Sequence, residues 1–414
     1  MSQKGDGMDQ NISWVENTAV QANPNPEAGA SLIDPSVIAE VKQFHASFSE
    51  YQPTPLRSLS ALAARWGIAG IQVKDESLRF GLNAFKVLGA SYAMGKSLAK
   101  RLGRPLSELP FPVLKTPAIR QSLGDPVFAA TTDGNHGRGV AWTAAQLGFS
   151  SHIFMPKGTT QTRYENIRAL GGGVRITDMN YDDTVRWVAG QAREKNWEII
   201  QDTAWDGYVD VPRWIMQGYS TVGREAIDQA GAEVPSHVFL QAGVGAFAAV
   251  MAVMVRQAWP HQPPCIVILE AKPAECFYES IKAGRKTAVS GDLDTIMAGL
   301  ACGEPNPLAW DILRDCGAAF AACPDWVAAQ GMRILGNPVG SDDRVVSGES
   351  GAVGIGLLEA ALTDPAYAGL RSAIGLTEQS RVMLFSTEGD TDPAIYRRVV
   401  WGGEWPKTAA GSQA

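Results

Sequence analysis

Two α/β units, each a parallel twisted sheet flanked by helices, are the architecture this 414-residue sequence predicts, and three observations carry it. Between about 67 and 210, short β-rich runs alternate with longer amphipathic ones, the order that builds a parallel sheet with helical crossovers. A second set of the same kind begins near 208. Strands of the second set end in small or polar residues, as strand carboxyl ends do when they face a ligand crevice.

In the first set the strands are "IAGIQVKD", "PVFAATT", "SHIFMP", "GGVRIT" and "WEIIQDT". "RGVAWTAAQLG" and "DDTVRWVAGQAREKN" read as helices, the latter opened by Asp182 or Asp183 as its cap and ended by Asn196. The second set supplies "HVFLQAG", a helix from about 246, "CIVILEA" and "RVMLFSTEG". The chain is long enough for two cores. We expect a larger unit made of 41–80 and 208–414, a smaller one over 81–207, and a loosely ordered tail over 1–40, a stretch rich in Gly, Asn and Pro at its start.

Composition narrows the function classes. A net charge of −7 with no Lys/Arg-rich block argues against nucleic acid or an anionic membrane as partner. The longest apolar stretch, "VGAFAAVMAVMV" at 244–255, falls far short of the roughly 20 residues a spanning helix needs. The N-terminal segment has neither a basic n-region nor an apolar h-region, so the expectation is a cytoplasmic protein. Five widely spaced cysteines and five histidines form no C-x-x-C or H-E-x-x-H pattern, so no metal site is expected. The expected partner is a small molecule, handled with an organic cofactor.

Chemistry concentrates in loops at strand ends. "FGLNAFKVLG", at 80–89, holds one lysine among apolar and small residues. A neighbourhood that desolvates an amine lowers its pKa and makes Lys86 a Schiff-base former, whereas a lysine snorkelling from a helix surface is the plainer alternative. "TTDGNHGRG", at 131–139, turns from a strand into a helix N-terminus, whose backbone N–H groups and dipole seat an anion such as a carboxylate; it is equally an ordinary strand-to-helix turn.

"QAGVGAFA", at 241–248, matches G-x-G-x-x-A, and Glu270 stands near where a ribose-binding acid belongs, so a nicotinamide-dependent oxidoreductase is one reading. The same backbone cradles any phosphate. "FSTEGDTD", at 385–392, offers Ser386, Thr387 and Thr391 to a ring nitrogen, or forms an ST-turn or helix cap. "SGESGAVG", at 347–354, lacks the glycine pattern of a nucleophile elbow, which removes a serine hydrolase. A catalytically silent binding protein would explain the loops but not a buried amine.

In this order the motifs resemble the pyridoxal-phosphate enzymes of the tryptophan synthase β and serine/threonine dehydratase fold type, known as fold type II. "YQPTPL", "VKDES", "RFGLNAFK", "TTDGNHGRGVAW", "TDMNYDDTVR", "QDTAW", "WIMQGY", "QAGVGA", "IMAGLACGEPNPL", "RILGNP", "SGESGAVG" and "STEGDTD" resemble most the diaminopropionate ammonia-lyases, from about residue 40 onward. The resemblance implies pyridoxal 5'-phosphate as cofactor, joined to Lys86 as a Schiff base. It implies that Asn135 faces the phenolic oxygen, that Gly243, Val244, Gly245 and Ala246 hold the phosphate, and that Thr387 or a neighbouring hydroxyl lies near the pyridine nitrogen.

Ordinary dehydratases carry Ser or Thr where Asp133 stands, and an added carboxylate there suits a cationic substrate or a second proton-transfer group. Asp202 in "QDTAW" is a further acidic candidate, with a cap as its alternative. The substrate carboxylate is expected at Asp133, Gly134, Asn135 and His136. The implied reaction is α,β-elimination of 2,3-diaminopropionate, in both D and L forms, to pyruvate and ammonia by a homodimer. A dehydratase acting on another β-substituted amino acid is the alternative within the fold type.

Overall fold

The computed structural model describes residues 10–22, 25, 27–132 and 134–407, with the backbone alone at 21 and 22. Asp133 therefore lies outside the described residues. Among those described, eleven strands form two sheets: β1 (Ser13–Glu16), β2 (Leu56–Ser58), β3 (Gly70–Asp75), β4 (Val127–Thr131), β5 (Ser150–Met155), β6 (Gly173–Ile176), β7 (Glu198–Ile199), β8 (His237–Gln241), β9 (Cys265–Ala271), β10 (Ala319–Cys323) and β11 (Arg381–Ser386). Seven run in the order β1-β10-β9-β8-β11-β3-β2 and four in the order β6-β5-β4-β7.

The four-stranded sheet is parallel throughout. In the larger one only the edge strands β1 and β2 run antiparallel to their neighbours. Every residue of β8 and of β10 is buried, because helices cover both faces of a parallel sheet and leave no side for water. The Ala246–Ala258 helix between β8 and β9 is buried from Ala246 through Val255. Its all-round apolarity is that of a core helix. Among the described residues no helix is long and apolar enough to cross a membrane.

The eight strands read from the sequence all form, with His237 opposite Cys265 and Gln241 opposite Leu269 in the β8–β9 pair. The segment expected as a loose tail is not one over its described part. β1 completes the larger sheet against β10, and Asn17 Nδ2 donates to the carbonyls of Arg314 (2.6 Å) and Gly317 (3.0 Å). A helix runs from Pro35 to Ala46, capped by Asp34 and burying Val41 and Phe44. The cap of the Tyr181–Lys195 helix also differs: Asn180, not Asp182 or Asp183, accepts the first-turn N–H, from Asp183 at 2.9 Å. Asn196 ends that helix in the left-handed conformation, at φ 53°.

Candidate active site

β8 lies where the strand order changes direction, with β9 and β10 to one side and β11 and β3 to the other. Loops leaving strand carboxyl ends at such a point bound a crevice. Here the crevice holds about 520 Å³ of space, its open mouth included, and its lining includes Lys86, Asn135, Asp202, Gly243 to Ala246, Thr387 and Glu388. The larger sheet supplies the turns after β8 and β11, and the chain following β4 and β7 supplies Asn135 and Asp202.

Lys86 immediately precedes the Val87–Leu102 helix, at the end of a tightly held loop. Within the loop Phe80 and Asn83 take positive φ, 50° and 58°, a region side chains rarely enter without outside support. That support is a buried ionic network: Arg79 meets Glu76 at 2.9 Å and Glu225 at 2.7 Å, and Lys74 meets Glu225 at 2.8 Å. Downstream, the N–H of Phe85 donates to the carbonyl of Thr387 at 3.2 Å, and Asn83 Nδ2 donates to Asp390 at 3.1 Å. The lysine is thus located by the larger sheet.

Its amine reaches the other wall. Lys86 Nζ donates to Asp202 Oδ2 at 2.9 Å, with side-chain exposures of 17% and 2%. Tyr181 donates its hydroxyl to Asp202 Oδ1 at 3.1 Å, and Gln201 Nε2 donates to the same oxygen at 3.2 Å. Burial alone would raise the carboxyl pKa, but the Lys86 and His136 charges and the bonds from Lys86 and Tyr181 outweigh it and hold Asp202 well below the usual carboxylate range. Asp202 is therefore an anchor for an ammonium and a poor acceptor of its proton. Asn306 Nδ2 donates to the Asp202 carbonyl at 3.1 Å, and the Asn306 N–H donates to Val244 O at 3.0 Å, tying this wall to the glycine turn.

That turn is made of backbone. Gly245, at φ 87°, precedes the Ala246–Ala258 helix and no side chain caps it, so the first-turn N–H groups and the positive end of the dipole face the crevice. A Cβ on Gly245 would lie 2.3 Å from Phe277 Cζ, and one on Gly243 would lie 2.8 Å from the Gly299 carbonyl. The space is shaped for glycine. Glu270, the acid of the nicotinamide reading, is fully buried and accepts from the N–H groups of Phe277 and Tyr278, both at 2.7 Å. Both of its oxygens serve the next helix, Cys276–Ala283, and none is left for a ribose.

Past β11, Thr387 Oγ1 accepts from Gln241 Nε2 at 3.0 Å, so its own O–H can donate to a ring nitrogen. Ser386 instead donates to Ser347 Oγ at 2.8 Å. Asn135, half-buried at the start of the Asn135–Leu147 helix, donates through Nδ2 to Glu388 Oε2. The two other described residues of the expected carboxylate seat are differently engaged. The N–H of Gly134 donates to Thr132 Oγ1 at 2.8 Å, and the buried His136 ring sits with Nε2 2.6 Å from the Ile200 carbonyl. Among the described residues no cluster of His, Cys, Asp and Glu could hold a metal ion.

Sequence reading missed Tyr181, Gln201, Gln241, Asn306 and Glu388. Tyr181 and Gln201 lie inside motifs already singled out, "TDMNYDDTVR" and "QDTAW", and Gln241 ends a strand that was read correctly, but tertiary placement brings each to the crevice. The residues fit pyridoxal phosphate: an amine in the crevice, a helix-terminal seat that a Cβ would fill, and a hydroxyl free to meet a ring nitrogen without imposing a charge.

Comparison with known proteins agrees. Residues 48–372 match the family of pyridoxal-phosphate dependent enzymes. The diaminopropionate ammonia-lyase of Escherichia coli (strain K12) is 50% identical over 365 residues, 88% of this chain and 91% of that protein. That of Salmonella typhimurium (strain LT2) is 47% identical over 91% of this chain and 95% of its own. The crystal structure of the holo enzyme from Escherichia coli superposes with a TM-score of 0.89 at 45% identity, covering 97% of this chain and all of the other. The same enzyme in complex with an aminoacrylate-PLP azomethine reaction intermediate superposes at 0.87, also at 45% identity, covering 97% of this chain and 99% of the other. The chain described here belongs to the diaminopropionate ammonia-lyases, within the pyridoxal-phosphate dependent enzymes.

Proposed function

We propose that this chain converts both enantiomers of 2,3-diaminopropionate to pyruvate and ammonia by α,β-elimination. The observation that carries the reading is an amine, Lys86, held on a carboxylate in the same crevice as a backbone-built anion seat. Bound pyridoxal phosphate supplies the electron sink that stabilises a carbanion at the substrate Cα. The chain's own groups do the rest. The N–H groups at Gly243 to Ala246 hold the phosphate, the Thr387 hydroxyl meets the ring nitrogen, and Asn135 faces the phenolic oxygen.

Lys86 Nζ would be the point of attachment for the cofactor and, as a free amine, the base that takes the Cα proton of the L form. Asp202 keeps the amine in register while it carries that proton. Asp133, which lies outside the described residues, serves as base for the D form. The substrate carboxylate docks at the N-terminus of the Asn135–Leu147 helix, where the helix dipole favours an anion and fixes orientation before chemistry. Cleavage of the Cβ–N bond, with a proton passing to the departing amine, releases one ammonia, and hydrolysis of the freed aminoacrylate in water gives pyruvate and a second ammonia. The family resemblance supports a homodimer.

The test uses purified protein with added pyridoxal phosphate. A visible absorbance band that borohydride abolishes, with pyruvate released from each enantiomer, supports the reading, and colourless protein refutes it. Asp133→Asn separates the two bases: proton-transfer catalysis is worth about 10²–10⁴-fold, so a loss of that order in kcat/KM on the D form alone is expected. An equal loss on both forms, or none on either, removes the two-base scheme.

A further inference from the structure

The "SGESG" and "STEGD" motifs meet in a feature the proposed mechanism leaves unused. Glu388, 2% exposed, follows Thr387 and lines the crevice. One of its oxygens accepts from Asn135 Nδ2, and the other accepts from the N–H of Ser350 at 3.1 Å. Ser350 belongs to the first turn of the Glu349–Thr363 helix, so the carboxylate rests on the positive end of a dipole. Glycine makes the approach possible: a Cβ on Gly348 would lie 2.9 Å from Glu388 Cγ and 2.5 Å from the Gly389 carbonyl.

The contact determines how the Asn135 amide is turned. The amide presents its nitrogen, and not its oxygen, to Glu388 Oε2. Nδ2 carries two hydrogens, and with one spent on Glu388 the second is directed by the amide plane.

A second buried acid, Glu349, opens the same helix. Burial raises the Glu349 carboxyl to about 7, the Arg163 guanidinium 3.8 Å away pulls it down, and the Glu388 and Asp392 charges push it up. The Glu349 Oε1 is buried with no hydrogen-bond partner.

We propose that Glu388 is a positioning residue for the phenolic-oxygen end of the cofactor: through Asn135 Nδ2 it locks the amide so that its second N–H faces that oxygen. The proposal rests on the reading of Asn135 as the neighbour of the phenolic oxygen. It gives "SGESG" a role as the glycine-lined pocket that admits the Glu388 side chain.

Asn135→Ala sets the full effect of losing the amide on the visible band of bound pyridoxal phosphate and on the pH midpoint of that band. Glu388→Gln should move both in the same direction, weaken cofactor binding roughly tenfold, and add nothing further when combined with Asn135→Ala. Gly348→Ala, which presses on Glu388 without changing any charge, should give a smaller shift of the same sign and reads the contact if Glu388→Gln does not fold. If Asn135→Ala moves the band while the Glu388→Gln or Gly348→Ala protein that folds keeps the wild-type spectrum and affinity, the positioning role is overturned and the Asn135 reading stands. If Asn135→Ala itself leaves the band unmoved, both fall together.

Discussion

The glycine turn after β8 and the Lys86–Asp202 pair face one crevice but are made of different materials. The turn offers backbone N–H groups and a dipole, with Phe277 and the Gly299 carbonyl pressed so close that no side chain fits. The pair offers two charges whose worth depends on burial and on partners such as Tyr181 and Gln201. One end should therefore fail by shape and the other by charge.

The largest effect is expected at the charged end. Lys86→Ala should abolish pyruvate release and the borohydride-sensitive band while the protein still retains cofactor through the turn. Lys86→Arg should fail as completely, since a guanidinium stays protonated. Near-normal turnover in either variant would break the distinction between the two ends. At the other end, Gly245→Val places a branched side chain at φ 87° against Phe277, and should lower cofactor affinity at least a hundredfold by equilibrium dialysis. If cofactor binding survived, the turn would not be the phosphate seat.

Asp202→Asn leaves the shape but removes the negative partner, and a loss of about 10²-fold in kcat is expected with cofactor affinity little changed. A loss confined to affinity would place Asp202 with the turn instead. The smallest effect sharpens the contrast, because the backbone end has one titratable support. Burial pushes Glu270 from 4.5 up to about 8, against the pull of the Phe277 and Tyr278 N–H bonds. Its folded-state pKa exceeds the unfolded one, so the stability it contributes is complete below about pH 4.5 and is lost as pH rises to about 8. Glu270→Gln should flatten the fall in Tm across that window, as thermal melts at its two ends would show.

Much of this was legible in the sequence because parallel strands buried on both faces are continuous apolar runs, and because reactive residues sit in the small-residue loops that follow them. Lys86, Thr387 and the glycine turn stand out for that reason. β10 did not, since "AFAAC" is poor in β-branched residues and is a strand because β1 and β9 flank it. β1 was hidden in a segment whose glycines and prolines drew the eye. Within the site, the Asn135–Glu388 contact joins residues 253 apart, and the bonds from Tyr181 and Asn306 to Asp202 depend on tertiary placement, which no local pattern encodes.

The two halves of the reactive pair are carried by different bodies. Lys86 is fastened to the larger sheet through Phe85 and Thr387, whereas Asp202 follows β7 of the smaller one. The pair is consequently a clasp as well as a site, with the Asn306 bond to the Asp202 carbonyl as its second stitch. Prising the sheets away from each other must separate this largely buried pair of charges. The Asn135–Glu388 contact and the Thr160–Asp392 bond join the same two sides of the crevice, so the reactive pair is one of several fastenings between them.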